Sequence, residues 1–203
     1  MELMDVIRRR RSIRAFTSEP IPEDVLGQIL EAGRLAPSAM NVQDWHFGII
    51  TDEAVKARLI EVSGGQEWIA AAPVIIALCR RLAADISTLP DDDINVLVWK
   101  ARYGRKLLDH LNAFDDRRAV RMLLDWRNTA YAGQQMVLAA EDFGIASCWI
   151  GLIDTPKADA ALGLPEDVVC DVLLPLGYPA EEPEAVERKT MEEITFHETW
   201  EDR

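Results

Sequence analysis

The chain has 203 residues, 49% of them hydrophobic and 28% charged, which is typical of one compact soluble domain and atypical of a disordered chain. Its longest apolar run, residues 68–79, is twelve residues long and contains Pro73, whereas a membrane-spanning helix needs about 20. Acidic residues precede the N-terminal arginines, which is the wrong order for a secretory signal. We therefore expect a single domain over residues 1–203, with no membrane segment and no secretory signal.

The formal net charge of −13 is unevenly distributed along the chain. Residues 1–14 contain two acids and five arginines, so this segment carries +3 and the other 189 residues carry −16. A domain with this much negative charge repels nucleic-acid backbones and anionic membrane surfaces. We therefore expect no nucleic-acid or membrane partner, and any anion bound by the arginine segment should be small.

The cysteines indicate a cytoplasmic protein with buried free thiols. Cys79, Cys148 and Cys170 are odd in number, widely spaced and flanked by apolar residues, which suits neither a disulfide framework nor a zinc site. The histidines also stand far apart, so no metal site is expected. Glycine-rich phosphate motifs and the Gly-x-Ser-x-Gly nucleophile motif are both absent from the sequence.

The predicted elements alternate irregularly between helices and strands, which indicates an α+β fold. Helices are predicted over residues 2–11, 22–36, 52–63, 117–143 and 154–163. Strands are predicted over residues 45–50, 73–79, 145–150 and 170–176, with 194–196 as a further candidate. Residues 12–16 are predicted to be extended, 38–44 form a polar loop, and about 80–116 form an insertion or lid.

The arginine segment concentrates hydrogen-bond donors suited to a phosphate group. Arg10, Arg11 and Arg14 carry guanidinium groups whose fork geometry matches phosphate oxygens, and Ser12 adds a hydroxyl. In an extended chain, Ser12 and Arg14 would face the same side. Taken alone, this run fits either a phosphate site or a solvated basic helix end.

Six groups of motifs, in chain order, resemble the nitroreductase family of FMN-dependent oxidoreductases. They are Arg-Arg-Ser-Ile-Arg-Ala-Phe (10–16) with Ala-Pro-Ser-Ala-Met-Asn-Val-Gln-Asp-Trp (36–45), Ala-Pro-Val-Ile-Ile (72–76), Gln-Gln-Met-Val-Leu-Ala-Ala (134–140), Gly-Ile-Ala-Ser-Cys-Trp-Ile-Gly (144–151), Leu-Gly-Tyr-Pro (176–179) and Arg-Lys-Thr-Met-Glu-Glu-Ile (188–194). The resemblance covers nearly the whole chain except about 80–116. It implies a nitroreductase-like three-layer α+β fold, with a central mixed or antiparallel sheet flanked by helices, in an intertwined homodimer.

The resemblance also implies which residues bind FMN. The phosphate and ribityl chain would contact Arg10, Arg11, Ser12 and Arg188, while Arg14 would lie at the pyrimidine edge of the flavin and favour its reduced form. Ile150 and Gly151 match the loop whose backbone amide faces flavin N5, and Gln66 offers a donor at the flavin edge. A loop of the second subunit would contribute Pro37, Ser38 and Asn41.

The chain departs from the family pattern at three places. The stretch before Ala72 offers Gln66 but lacks the lysine that some members use there, so Arg14 would be the main cation near flavin N1. Asp44 stands where the family usually has proline before Trp45, which changes the loop rather than the chemistry. Thr190 replaces a common proline after Arg188 and Lys189, which weakens the match of Arg188 to the phosphate site.

The activity implied is a ping-pong hydride transfer from NADH or NADPH, through flavin N5, to an electron-poor small molecule such as a nitroaromatic or a quinone. No catalytic side chain is needed, because the flavin carries the chemistry. Two alternatives stay open. One is a specialised member of the family, such as a dehalogenase, a flavin-fragmenting enzyme or a small-substrate dehydrogenase; the other is a non-catalytic flavin-binding or nucleic-acid-binding module.

Overall fold

The computed structural model describes residues 2–124 and 127–202, which form a four-stranded antiparallel sheet with helices on both faces, in the order β1-β2-β4-β3. The strands are β1 (Trp45–Ile50), β2 (Val74–Arg81), β3 (Ala146–Ser147) and β4 (Val168–Gly177). The helices are α1 (Leu3–Arg9), α2 (Glu23–Arg34), α3 (Glu53–Val62), α4 (Ile94–Tyr103), α5 (Arg105–Asn112), α6 (Arg117–Leu124), α7 (Arg127–Asp142), α8 (Thr155–Leu162) and α9 (Met191–Ile194). Within these ranges, no helix combines the length and apolar character needed to cross a membrane.

The sheet separates two apolar layers, and successive side chains of β2 enter them alternately. Ile75, Ala77 and Cys79 pack with residues of α3 and α8 on one face. Ile76 and Leu78 pack with residues of α2 and α7 on the other. A strand buried on both faces needs an unbroken apolar sequence, which explains the run that predicted this strand.

Strand β4 contains a β-bulge at Asp171. Cys79 lies opposite Cys170, and the preceding residue of β2 lies opposite Val172, so Asp171 is an extra residue in β4. The bulge exchanges the faces of β4: Cys170 lies in the α3/α8 layer and Val172 packs in the α2/α7 layer. It also accompanies a buried ion pair, in which the Arg80 Nε donates to Asp171 Oδ2 at 2.9 Å.

Several predicted helix ends are confirmed by their capping geometry. Asp52 and Asp154 each accept a hydrogen bond from the backbone N–H three residues later, at the starts of α3 and α8. Gly144 and Gly163 follow α7 and α8 with φ of 73° and 65°, in the left-handed region that glycine adopts readily.

The predicted strand at residues 145–150 is too long. Only Ala146 and Ser147 form β3, and Ile150 makes a single bridge to Leu173 of β4 in the same register. Pro175 would lie opposite the missing part of the ladder, and it has no N–H to donate. The interruption therefore leaves residues 148 and 149 outside the sheet.

Three other predicted boundaries differ from the structure. Helix α1 ends at Arg9 rather than at residue 11, because Arg11 Nη1 donates to the last carbonyls of the helix. The predicted helix over 117–143 is described as α6 and α7, and residues 125 and 126 lie outside the described ranges. The candidate strand at 194–196 is wrong, since a capping box between Thr190 and Glu193 starts the short helix α9.

The predicted insertion or lid at about 80–116, here called the excursion, contains two helices with a small apolar core of their own. Helices α4 and α5 contribute to an apolar cluster of Ile86, Val96, Trp99 and Leu108. An ion pair closes the base of this excursion: the Arg117 guanidinium donates to both carboxylate oxygens of Asp85, at 2.7 and 2.8 Å.

The base of the excursion should loosen when Asp85 loses its charge. Hydrogen bonds from Arg117 hold the pKa of Asp85 well below its ordinary value, against the opposing effect of burial. The stabilisation is therefore fully present above the unfolded-state pKa of about 4 and is lost progressively as the pH falls from there towards the lower folded-state pKa. We expect Asp85→Asn to speed proteolytic cleavage within residues 86–116 at pH 7, and acidification below pH 4 to do the same in the wild type.

The matched control is Asp91→Asn, which removes an exposed carboxylate paired with Lys100 on the same excursion. Equal cleavage rates in the two variants would contradict a role for the Asp85–Arg117 pair.

Helix α7 should not accept a methyl group at Gly133. A Cβ there would lie 2.5 Å from Leu78 Cδ1 and 2.5 Å from Trp149 Cη2, so these two side chains or the helix would have to move. We expect Gly133→Ala to lower the free energy of unfolding by about 1–3 kcal/mol, measured by urea denaturation. At Gly27 of α2 a Cβ would have no atom within 4 Å, so Gly27→Ala should stabilise by up to about 1 kcal/mol. Destabilisation by both substitutions would show that helix geometry, rather than close packing, decides the effect.

Candidate functional site

Residues 12–16 place a row of exposed donors beyond β3. Ser12 pairs in parallel with Ser147, whose carbonyl accepts a hydrogen bond from the Ile13 N–H at 3.1 Å. Ile13 is buried, whereas Ser12 and Arg14 on either side of it are exposed. The two donors therefore share one side of the segment, as the extended conformation predicts.

The two arginines before Ser12 have different surroundings. The Arg11 guanidinium is engaged with the C-terminal carbonyls of α1, and its buried Nε has no partner among the described residues. In the same ranges, the Arg10 guanidinium forms no hydrogen bond or ion pair. Arg10 is thus available for an anion through its side chain, while Arg11 shapes the end of α1.

Arg14 is held by two contacts that the sequence did not indicate. Its guanidinium carbon lies 6.0 Å from the centroid of the Trp68 ring, within reach of a cation–π interaction. Its backbone N–H donates to Glu181 Oε1 at 2.7 Å. Glu181 is 167 residues away in the chain, so no local pattern could have paired it with Arg14.

Cys148 lies beside this row of donors. All three cysteines are buried and free, as predicted. Burial raises the pKa of the Cys148 thiol, and the positive charge of Arg14 and a hydrogen bond with Ser12 oppose that rise. Because burial is the larger effect, this thiol stays protonated at neutral pH and is poorly suited to act as a nucleophile.

In the loop after β3, the backbone N–H groups of Ile150 and Gly151 differ in whether they have a partner. The Ile150 N–H donates to the Leu173 carbonyl at 2.9 Å, and the Leu173 N–H returns a bond to Ile150 at 3.1 Å. Within the described part of the chain, the exposed Gly151 N–H has no hydrogen-bond partner. Of the two predicted residues, Gly151 therefore offers the available amide.

Gln66 and Arg188, two further predicted binding residues, make no contact with the donors beside β3 that the structure records among the residues it describes. Gln66 Nε2 donates to the Ser63 carbonyl at 2.8 Å, at the end of α3, which uses one of its two hydrogens. Arg188 lies in an exposed tail, and its guanidinium has no partner in the described ranges. No hydrogen bond in the described ranges joins Arg188 to Arg10 or Ser12.

The loop that carries Pro37, Ser38 and Asn41 lies at the other end of α7. The Ala39 N–H donates to the Asn128 side chain at 3.2 Å, in the first turn of α7. Near the last turn of that helix, Glu141 pairs with Arg9 at 3.5 Å.

These two anchor points are thirteen positions apart on α7, which at 1.5 Å per residue is about 20 Å along the helix. Apart from Gln66 and Arg188, the predicted binding residues therefore fall into two groups: one beside β3 and one on the loop. A single chain does not bring these groups together.

The group beside β3 can bind an anion and present hydrogen-bond donors. Arg10 contributes a free guanidinium and Ser12 a hydroxyl group. Arg14 adds a second cation, and Gly151 adds a backbone N–H. Among the described residues, no group of histidine, cysteine and acidic side chains is arranged to hold a metal ion. The site is therefore suited to binding and electrostatic stabilisation.

Comparison with known proteins identifies the family. The sequence profile of the nitroreductase family matches residues 7–178. The NADH dehydrogenase of Thermus thermophilus is 33% identical over 194 residues, which cover 93% of this chain and 92% of that protein. The NAD(P)H-dependent FMN reductase of Bacillus subtilis is 27% identical over 201 residues, covering 98% of this chain and 74% of that protein.

A solved structure supports the same fold. The NADPH:FMN oxidoreductase of Vibrio harveyi, complexed with NAD+, superposes with a TM-score of 0.73 at 23% identity, covering 98% of this chain and 77% of that chain. This similarity confirms the predicted three-layer α+β architecture. Because the family profile spans most of the sequence, the chain belongs to the nitroreductase family.

Proposed function

We propose that this protein is an FMN-dependent oxidoreductase that takes hydride from NADH or NADPH and delivers it to an electron-poor acceptor such as a nitroaromatic or a quinone. The observation that carries the proposal is the row of donors beside β3, where Arg10 has a free guanidinium next to Ser12 and Arg14. The names of the relatives, an FMN reductase and an NADH dehydrogenase, agree with this activity.

The donors present suit FMN. A phosphate dianion needs a cation and a hydroxyl donor, which Arg10 and Ser12 supply from neighbouring positions. The exposed Gly151 N–H would donate to the flavin ring without placing a side chain between flavin and substrate. When bound, FMN supplies the hydride-transfer chemistry at its N5 atom.

The role of Arg14 would be electrostatic. Trp68 lies beside its guanidinium and Glu181 accepts from its backbone N–H, so the side chain and the segment that carries it are positioned before the cofactor binds. A fixed cation at the pyrimidine edge favours the electron-rich state of the flavin and so raises its reduction potential. Gln66 and Arg188 would add donors at the flavin edge and the phosphate.

We also propose that the enzyme is a homodimer of single-domain subunits, located in the cytoplasm. The separation of about 20 Å between the anchor points of the two groups, along α7, favours a loop that serves the partner's site. All residues from 181 to 201 are exposed, among them the large apolar side chains of Met191, Ile194, Phe196 and Trp200. Such a tail is suited to packing on a second copy of the chain.

The purified protein should show the absorption bands of bound FMN and should bleach when NADH or NADPH is added.

Arg10→Ala removes the free phosphate-binding cation and should raise the Kd for FMN about tenfold or more. Arg14→Ala should mainly lower the flavin potential and slow reduction. The readouts are a fluorescence titration of apoprotein with FMN and a redox titration.

Arg8→Ala is the matched control, because Arg8 is exposed and pairs with Asp5 on the outer surface of α1. A colourless protein that gains no bands on addition of FMN would contradict the proposed function.

Mixed dimers test whether the loop serves the partner's site. Arg10→Ala and Asn41→Ala should each weaken both sites of a homodimer. In a dimer of one Arg10→Ala chain and one Asn41→Ala chain, both defects fall on one site and the other site is intact. Titration of purified mixed dimers should therefore reveal one tight FMN site. Two weak sites would mean that each loop serves its own subunit.

A further inference from the structure

The loop between Pro37 and Trp45 is held in an unfavourable backbone conformation. Of the non-glycine residues with positive φ in the described ranges, three lie in this loop: Met40 at 49°, Asn41 at 56° and Gln43 at 48°. Side chains with a Cβ rarely adopt this region, and such residues persist only where their surroundings fix them. All three residues are exposed, so burial of their own side chains does not hold them.

One buried side chain joins the two ends of the loop. The amide of Asn128, 1% exposed, accepts a hydrogen bond from the Ala39 N–H at 3.2 Å. Its Nδ2 donates to Asp44 Oδ1 at 2.9 Å. An amide with these two partners has one productive orientation, since a flip would place Nδ2 against the Ala39 N–H. Asp44 therefore determines which atom Asn128 presents to Ala39.

The pair of hydrogen bonds that Asn128 makes with Ala39 and Asp44, here called the clamp, is anchored to the sheet. Thr129, the next residue of α7, donates its hydroxyl to Asp171, which is ion-paired with Arg80. One turn after Asn128, Ala132 packs with Trp45 at the start of β1. The start of α7 is thereby tied to the sheet, so the position of Asn128 is set independently of the loop.

We propose that Asp44 and Asn128 are positioning residues for FMN binding, which hold Ser38 and Asn41 in the conformation that contacts the cofactor. This inference rests on the proposed function. It concerns a feature of this chain, because Asp44 stands where the family usually has proline, and proline offers no side-chain oxygen to Asn128.

The test compares Asp44→Ala, which removes the acceptor, with Asp44→Asn, which keeps an oxygen that can accept from Asn128. We expect Asp44→Ala to raise the Kd for FMN about tenfold and to speed hydrogen exchange of the Ala39 amide, while Asp44→Asn stays within about threefold of wild type. Fluorescence titration, hydrogen exchange and thermal unfolding are measured on the same full-length apoprotein. Asp91→Ala, on the distant excursion, is the control and should leave the FMN Kd unchanged.

Each outcome decides the inference. An unchanged FMN Kd in Asp44→Ala, despite faster Ala39 exchange, would overturn the positioning role. Equal weakening by Asp44→Ala and Asp44→Asn would overturn the hydrogen-bond argument, and a Kd change that only follows thermal stability across variants would do the same. If the wild type binds no FMN, the proposed function fails, and the positioning of the cofactor fails with it. The exchange rates then report separately whether the clamp exists.

Discussion

The close contact between α7 and the sheet is the constraint on which the rest of the molecule depends. Gly133 allows the helix to approach Leu78 and Trp149 at distances that leave no room for a methyl group. Because α7 is fixed there, its two ends become reference points: one for the N-terminal arginines, through Glu141, and one for the loop, through Asn128. The length of one helix thus sets the distance between the anchor points of the two groups of predicted binding residues.

The buried ion pair between Arg80 and Asp171, beneath α7, contributes more to the relative position of the helices and the sheet than to the free energy of folding. Burial raises the pKa of Asp171, and the charge of Arg80 and the Thr129 hydroxyl oppose that rise. Desolvation offsets much of the attraction in such a pair, although loss of one partner would leave a buried charge uncompensated. The pair instead fixes relative positions. Arg80 also donates to the Met122 carbonyl, so it joins strands β2 and β4 to α6.

Sequence reasoning succeeded where structure is local. Caps at Asp52, Asp154 and Gly163 place helix ends through neighbouring residues, and the apolar run of β2 marks a strand buried on both faces. The family motifs placed the donors beside β3 on one segment. In the tail, the local signal of Thr190 and Glu193 was present but was outweighed by the apolar pattern at 194–196.

Contacts between distant segments escaped prediction because nothing near them in the chain encodes the pairing. The contact between Arg14 and Glu181 depends on how the chain leaves β4, and the bonds of Asn128 depend on where α7 meets the loop. Arg11 shows a different limit: its residue type suits a phosphate, but the adjacent helix end occupies its guanidinium. Competition between a local partner and a distant ligand is decided by geometry.

The bulge at Asp171 makes β4 intolerant of changes in length. With the extra residue in place, Cys170 and Val172 enter opposite apolar layers. Deleting Asp171 would keep this alternation but would leave the buried Arg80 guanidinium without its carboxylate partner, whereas deleting a residue after Val172 would turn the later side chains of the strand to the other face and misplace Gly177 against Phe16 and Pro73. Insertions and deletions among homologues should therefore accumulate in the excursion closed by Asp85 and Arg117, while the spacing between Cys170 and Gly177 stays constant.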